Sequence, residues 1–407
     1  VSVAILDPSR HEPLAAAWSE AAARQSLARI VSSALDEADA LGWPAHPLDD
    51  PESPDDHRHA LYHGAAGVLW TLRRLVQDGA IADSPKRRAL EDRLLDGLVE
   101  RNAAARKPDE RGSFWLGDTG LELLAWQVRK DAATLDRLEA LLTAQLDHPS
   151  LESLWSFPGS ALAAVHLAEQ DGGARWRSLA EAAVARLLAT RIADPETGTP
   201  VWEQDLYGRR VRWLGAGHGL AGNVYLALRA RRLVPETAVA SLLDGAYTTL
   251  AATALRGEGA QAGAWNWHPM IDAARVAGRL PLLQDCHGSP GILARLAEAP
   301  RTPEWDELLL AAGEAVWLAG PLSKGPSLCH GTAGNALALL RLAERSGDDR
   351  WRERGLAMLA HAAAQVEAAR EQHGRGRPSL WTGDLGVAWG LAEALAGRAR
   401  LPLLDVF

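Results

Sequence analysis

Leu328-Cys329-His330-Gly331-Thr332-Ala333-Gly334-Asn335 runs straight into Ala336-Leu-Ala-Leu-Leu-Arg-Leu-Ala-Glu344, a Gly-x-x-Gly element opening an apolar helical run. The same element recurs as Gly64-Ala-Ala-Gly67, Gly117-Asp-Thr-Gly120, Gly219-Leu-Ala-Gly222, Gly288-Ser-Pro-Gly291 and Gly383-Asp-Leu-Gly386, with a degenerate copy at Ser156-Phe-Pro-Gly159. The intervals of roughly 40 to 70 residues lie within or somewhat above those of repeat architectures. Between the copies, stretches 86–103, 175–191 and 350–371 repeat apolar residues at three and four with Arg and Glu opposite, predicting amphipathic surface helices. Strand signals are scarce; residues 200–214 alternate around Tyr207-Gly208 and predict a hairpin. Seven alternations of buried and surface helix predict an all-α fold, an α/α toroid or seven-fold double helical barrel. The glycines would stand at the inner-helix N-termini, where missing side chains let backbones crowd at one rim. Residues 1–55, rich in proline and acid near their end, are expected to form an N-terminal cap segment, and 56–407 a single toroidal domain.

The 407 residues are 47% hydrophobic and 23% charged, an ordinary globular composition. The formal net charge of −9 gives no basic footprint for nucleic acid. No uninterrupted apolar stretch approaches the ~20 residues of a membrane span. The opening Val1-Ser2-Val3-Ala4-Ile5-Leu6-Asp7-Pro8 has no basic n-region or long apolar h-region, so a cytoplasmic protein is the expectation.

Cys286 and Cys329 are the chain's two cysteines, and each opens a Cys-His-Gly-[Ser/Thr]-x-Gly string. Two thiolates and an adjacent imidazole form the soft, borderline donor set that zinc prefers, and three protein ligands leave a fourth position open for chemistry. A buried free cysteine acting as a small hydrophobe, or a disulfide between the two, are the alternatives. The shared context favours the metal, and a reducing compartment disfavours the disulfide.

With these motifs in place the sequence is similar to the lanthionine synthetase C-like family, from Leu61-Tyr-His-Gly-Ala-Ala-Gly67 to Leu380-Trp-Thr-Gly-Asp-Leu-Gly386. The most specific matches are Gly217-His218-Gly219-Leu220-Ala221-Gly222, Cys286-His287-Gly288 and Leu328 to Asn335. The resemblance implies a seven-fold double α-toroid, Zn²⁺ bound by Cys286, Cys329 and His330, and His218 as catalytic acid/base. The family contains cyclases that add peptide cysteines to dehydroalanine or dehydrobutyrine, and stand-alone members that add glutathione to such residues. The implied partners are therefore a peptide or protein bearing dehydroamino acids, and glutathione. Three positions depart from the peptide cyclases: Glu152 replaces Asp, Leu282 replaces Arg, and His287 replaces Tyr. These departures point towards a stand-alone relative.

A thiol becomes a good nucleophile as thiolate, and a metal deprotonates it. Attack on the β-carbon of a dehydroamino acid leaves an enolate needing a proton at the α-carbon, a task suited to an imidazole such as His218. His287 is read either as a second proton-transfer group or as a hydrogen-bonding neighbour, Glu152 as a further candidate proton donor, and His63 as a structural echo of the repeat. Gly331 is expected to accept unusual dihedrals where Cys329 and His330 diverge. Arg212, Lys324, Arg375 and Arg377 are candidate cations for acidic substrate groups or plain surface charge. Trp265-Asn266-Trp267-His268-Pro269 either lines a peptide groove or packs in the core. Competing readings are a non-catalytic zinc-containing peptide- or thiol-binding adaptor and a toroid like the protein prenyltransferase β-subunit; the latter needs an Asp ligand with one Cys and a distant His, which the paired Cys-His-Gly strings fit poorly.

Overall fold

The computed structural model describes residues 4–53, 55–206 and 208–407; Val1 to Val3 and Tyr207 at the expected hairpin tip lie outside them. Sixteen α-helices dominate the described residues, and the architecture is the α/α toroid. Seven inner helices begin at the seven repeat motifs: Ala65–Gln77, Asp118–Arg129, Phe157–Gln170, Leu220–Ala230, Ser289–Leu296, Thr332–Ser346 and Asp384–Leu395. Each packs on the next, and the last packs on the first. Their sequences are apolar on nearly all sides, and they are buried almost throughout, as in Asp384–Leu395.

The outer helices bury one stripe. Ala174–Thr190 does so through Trp176, Ala180, Ala183, Val184 and Leu187, spaced by three and four. Within the stretch 1–55, helix Glu20–Asp36 packs along the last inner helix and against Asp349–His373. The expected single surface helix at 86–103 is two helices, Pro85–Leu95 and Leu98–Ala105. Gly97 between them takes φ 71°, a left-handed conformation that interrupts the helical hydrogen bonds. The expected hairpin is present but shorter: Gln204–Leu206 pairs antiparallel with Arg209–Val211, while Pro200–Val201 pairs with Ile192–Ala193.

The motif glycines have a shared physical reason. At all seven fourth positions an added Cβ would come within 1.7 to 2.4 Å of the carbonyl oxygen six residues earlier, which no side chain tolerates. That close approach lets the preceding loop cap its own helix. Thr332 and Ala333, for example, donate their N–H groups to the carbonyls of Gly325 and Pro326, both at 3.0 Å, satisfying donors that a helix start leaves open.

The loops then join one another around the axis. Two residues before each first glycine, backbone N–H groups donate to the next loop's carbonyl: Gly217 to Cys286, Cys286 to Cys329, Cys329 to Trp381, Trp381 to Tyr62, and Tyr62 to Trp115. The Ser113 hydroxyl continues the chain, accepting from Trp115 N–H at 3.1 Å and donating to the Leu154 carbonyl at 2.6 Å. Leu154 does not close the circle onto Gly217; its N–H turns to the Glu152 carboxylate at 3.0 Å. From the opposite end Leu401–Phe407 enters the barrel, fixed by Tyr225 and Arg341 on the Asp405 carboxylate at 2.5 and 2.6 Å.

Candidate active site

All seven loops line one cavity of about 120 Å³ at this rim, floored by Leu404. Tyr62, Trp115 and Trp381 form an aromatic wall from three consecutive loops around the ring, with Tyr62 stacked on Trp381 at 6.5 Å. The facing loops bring Cys286, Cys329, His330, His218, His287 and Glu152 together, either in the cavity or in contact with a residue that lines it.

Cys286 and Cys329 are buried free thiols on adjacent loops. With His330 they offer three ligand atoms all within 4.8 Å of one another, and Cys329 Sγ lies 3.5 Å from His330 Nε2. The hydrogen bond with Cys286 and then burial push the Cys329 thiol well above its usual range. Two sulfurs and one imidazole so arranged fit a zinc ion, and a cation between them is what would make both sulfurs thiolates. Gln284 Nε2 donates to Cys286 Sγ at 3.1 Å. Gly331 beside the triad keeps φ at −136°, so unusual dihedrals are not its reason. It is needed for space, since a Cβ there would meet Ser327 N at 2.3 Å. The positive φ falls instead at Gly288, at 97°.

Glu152 is fully buried in the gap of the backbone ring. Its carboxylate accepts the N–H groups of Leu154 and Trp155 and a hydrogen bond from His218 Nδ1 at 2.8 Å. Ser156, where the other motifs have glycine, donates its hydroxyl to the Glu152 carbonyl and accepts the Glu152 N–H, both at 2.9 Å. Glu152 thus orients His218, and the imidazole lines the cavity. The loop closes on the cysteines because Gly217 has no side chain; a Cβ there would lie 3.1 Å from Cys286 Cβ.

His287 stacks on Trp213 at 5.2 Å and lies 5.7 Å from His218. Burial, then the nearby His218 and His330, push it down to about 3, so it is a neutral ring rather than an acid at pH 7. Its Nδ1 has no hydrogen-bond partner among the described residues.

Other sequence candidates lie outside this cavity. His63 packs edge-on against Tyr62, and burial pushes it down to about 4. Arg212 is clamped between Asp194 and Asp272. Arg375 donates to the carbonyls of Pro44 and Ala45, and Arg377 pairs with Asp49, so both hold the N-terminal stretch in place. With exposed Lys324 they line a second cavity. Trp265 and Trp267 pack in the core, while Asn266 Oδ1 accepts the Ser289 N–H at 2.9 Å.

Sequence reading did not single out the aromatic wall or the buried Arg295–Asp285 pair, bidentate at 3.0 and 2.8 Å. A signal existed for the wall. Tyr62, Trp115 and Trp381 stand two residues before a motif glycine, the same register as Cys286 and Cys329.

The family model described as lanthionine synthetase C-like protein matches residues 57–405. The Danio rerio protein named Glutathione S-transferase LANCL1 is 30% identical over 213 residues, which cover 50% of this chain and 47% of that protein. The Arabidopsis thaliana LanC-like protein GCL1 is 38% identical over 84 residues, 20% of this chain and 19% of its own. The chain therefore spans about half or less of these curated relatives. Nisin cyclase has the same fold, with a TM-score of 0.64 and 14% identity over 91% of this chain and 93% of its own.

Proposed function

The chain belongs to the lanthionine synthetase C-like family, and from that premise we propose that it adds a thiol to the β-carbon of a dehydroalanine or dehydrobutyrine residue, forming a thioether, with Zn²⁺ as cofactor. The observation that carries the reading is the meeting, in one cavity, of the Cys286–Cys329–His330 triad and His218, which the buried Glu152 holds from behind. A zinc ion held by that triad would supply the positive charge that keeps a substrate thiol ionised at neutral pH.

The chain's own residues then account for the proton. His218 takes the thiol proton. The sulfur lone pair forms the C–S bond at the β-carbon, and the alkene electrons move towards the substrate carbonyl as an enolate. His218 returns the proton to the α-carbon, so thiol and alkene combine with nothing lost. The Glu152 carboxylate holds the Nδ1 side of the ring and offsets the imidazolium charge between these two transfers. His287, neutral and stacked on Trp213, orients rather than titrates. The aromatic wall of Tyr62, Trp115 and Trp381 limits water at the enolate.

The names of two similar proteins suggest the donors to test: glutathione from the transferase, and a peptide cysteine from nisin cyclase. The acceptor would be a peptide or protein containing dehydroamino acids. No helix among the described residues is long and apolar enough to cross a membrane. A reducing cytoplasm is the compartment we propose, because it keeps both thiols available. Incubating the zinc-loaded protein with glutathione and a dehydroalanine peptide should give a mass gain of one glutathione. A rate no faster than the uncatalysed reaction, with cysteine peptides equally unreactive, would refute the proposal.

A further inference from the structure

A second surface adjoins the catalytic cavity through Trp213. The hairpin strands Gln204–Leu206 and Arg209–Val211, together with the segment from Met270 to Arg279, enclose a groove of about 640 Å³. Its apolar lining includes Leu206, Val211, Trp213 and Met270, and its charged lining is Arg209, Arg275 and Arg279. Leu206 and Arg209 are paired across the hairpin and so share a face, whereas Asp205 and Arg210 share the other.

The three groove arginines are exposed, and their side chains make no hydrogen bond or ion pair with any described residue. Of the acids close by, Glu203 pairs with Arg210 at 3.6 Å and both Asp194 and Asp272 with Arg212, while Asp205 sits on the other face of the hairpin. No carboxylate lines the groove among the described residues. In a chain of net charge −9 this is a local reversal of sign. Trp213 links the groove to the chemistry: it lines the groove, its ring stacks on His287 at 5.2 Å, and it tilts against His218 at 5.9 Å.

We propose that this groove docks an acidic stretch of the polypeptide substrate, with Asp or Glu side chains on the arginines and aliphatic groups over Met270 and Leu206. Planar guanidinium groups match carboxylates in two-point contact, and a thioether side chain such as Met270 adapts to varied apolar partners. The inference rests on the thioether-forming reading, since it assigns the groove to residues flanking the dehydroamino acid. An extended chain covers about 3.3 Å per residue, so the acidic positions would lie within a few residues of the reactive one.

The test is binding, independent of turnover. Fluorescein-labelled peptides carrying serine at the reactive position, flanked by Asp and Glu, by Asn and Gln, or by Lys, are titrated by anisotropy at low and high salt. An exposed ion pair multiplies affinity by about 1.5- to 5-fold, so three should favour the acidic peptide by about 3- to 125-fold at low salt, with the preference fading as salt rises. The Arg275→Glu/Arg279→Glu variant should lose that preference and gain affinity for the Lys peptide, with an unchanged circular dichroism spectrum. Equal binding of acidic and amide peptides, a preference that survives in the variant, or capture of anionic lipid vesicles without the acidic peptide would overturn the proposal. Binding of the acidic peptide without thioether formation would leave the docking intact and defeat the chemistry. Thioether formation with equal kcat/KM for acidic and amide peptides would do the reverse.

Discussion

Replacing Glu152 with Gln tests whether the gap in the backbone ring fits His218 for its proposed acid/base role. In the native site Oε2 receives the Leu154 N–H at 3.0 Å and His218 Nδ1 at 2.8 Å, while Oε1 receives the Trp155 N–H. Every partner is a donor, so a carboxylate satisfies all three. An amide has only one oxygen. If that oxygen stays with Leu154 and His218, the NH₂ faces the Trp155 N–H; if it turns to Trp155, the NH₂ faces Leu154 and forces His218 to accept at Nδ1. Either arrangement leaves one buried backbone donor unmet, costing about 1–3 kcal/mol of stability. Both also remove the negative charge that offsets the imidazolium. General acid–base assistance is worth roughly 10²–10⁴-fold, and a correctly placed ring without its counter-charge should lose about 10²–10³ of it.

The assay is kcat/KM for glutathione addition to a blocked dehydroalanine, alongside zinc content and a thermal melt. Glu152→Gln should keep zinc, melt lower and lose at least about a hundredfold in rate. Glu152→Asp keeps the charge on a side chain one methylene shorter and should fall between the two. A Glu152→Gln protein with full zinc and near-native turnover would show that the carboxylate only ties the loop together.

The remaining expectations concern the metal, the imidazole and acid stability. Cys286→Ala and Cys329→Ala should each lose zinc severely by atomic absorption, whereas chelation of the native protein should leave its helical circular dichroism, because a core of this size holds without metal. His218→Asn should retain zinc yet lose about 10²–10⁴ in turnover, and in D₂O its residual product should show mixed configuration at the α-carbon; a single stereoisomer at normal speed would remove His218 from the mechanism. His166, pushed down to about 3 by burial and then by Arg229, is neutral in the folded state at pH 5, while the unfolded chain binds a proton below about 6.5. Stability from this group is therefore present above pH 6.5 and lost as pH falls towards 3, at about 1.4 kcal/mol per pH unit; urea midpoints at pH 7.5 and 5.5 should differ less in His166→Phe than in the native protein.

What could be read from the chain follows the distance over which each feature acts. The Gly-x-x-Gly copies were legible because each glycine answers to a carbonyl six residues away, so the constraint repeats within every unit. The grouping of the two cysteines was legible for a similar reason, since both occupy the same register of their own loops. The break at Gly97 was legible in principle, but the charged periodicity on either side masked it. Partners across the ring were not. Arg212 reads as a cation near a motif, and only the fold brings Asp194 and Asp272 to it. Trp265 and Trp267 read as either groove or core, and burial decides for core.

The degenerate third motif shows how function enters a repeat. Five loops pass a backbone N–H directly to the next loop's carbonyl and the Ser113 hydroxyl relays a sixth link, so a seventh would complete a closed circle. The third loop has Ser156 in place of glycine and a left-handed Leu151 at φ 50°. Its hydroxyl takes over the Glu152 backbone, and the Leu154 N–H turns inward to the carboxylate. That departure sets a buried carboxylate beside His218, at the cavity that the two cysteines line. The irregular copy is therefore a poor match to the repeat because it supplies the one charged acceptor the proposed proton transfer requires. Restoring regularity with Ser156→Gly should free the Glu152 backbone and loosen the His218 contact, lowering kcat more than zinc affinity. Equal losses in both would mean that the third loop serves only to hold the rim.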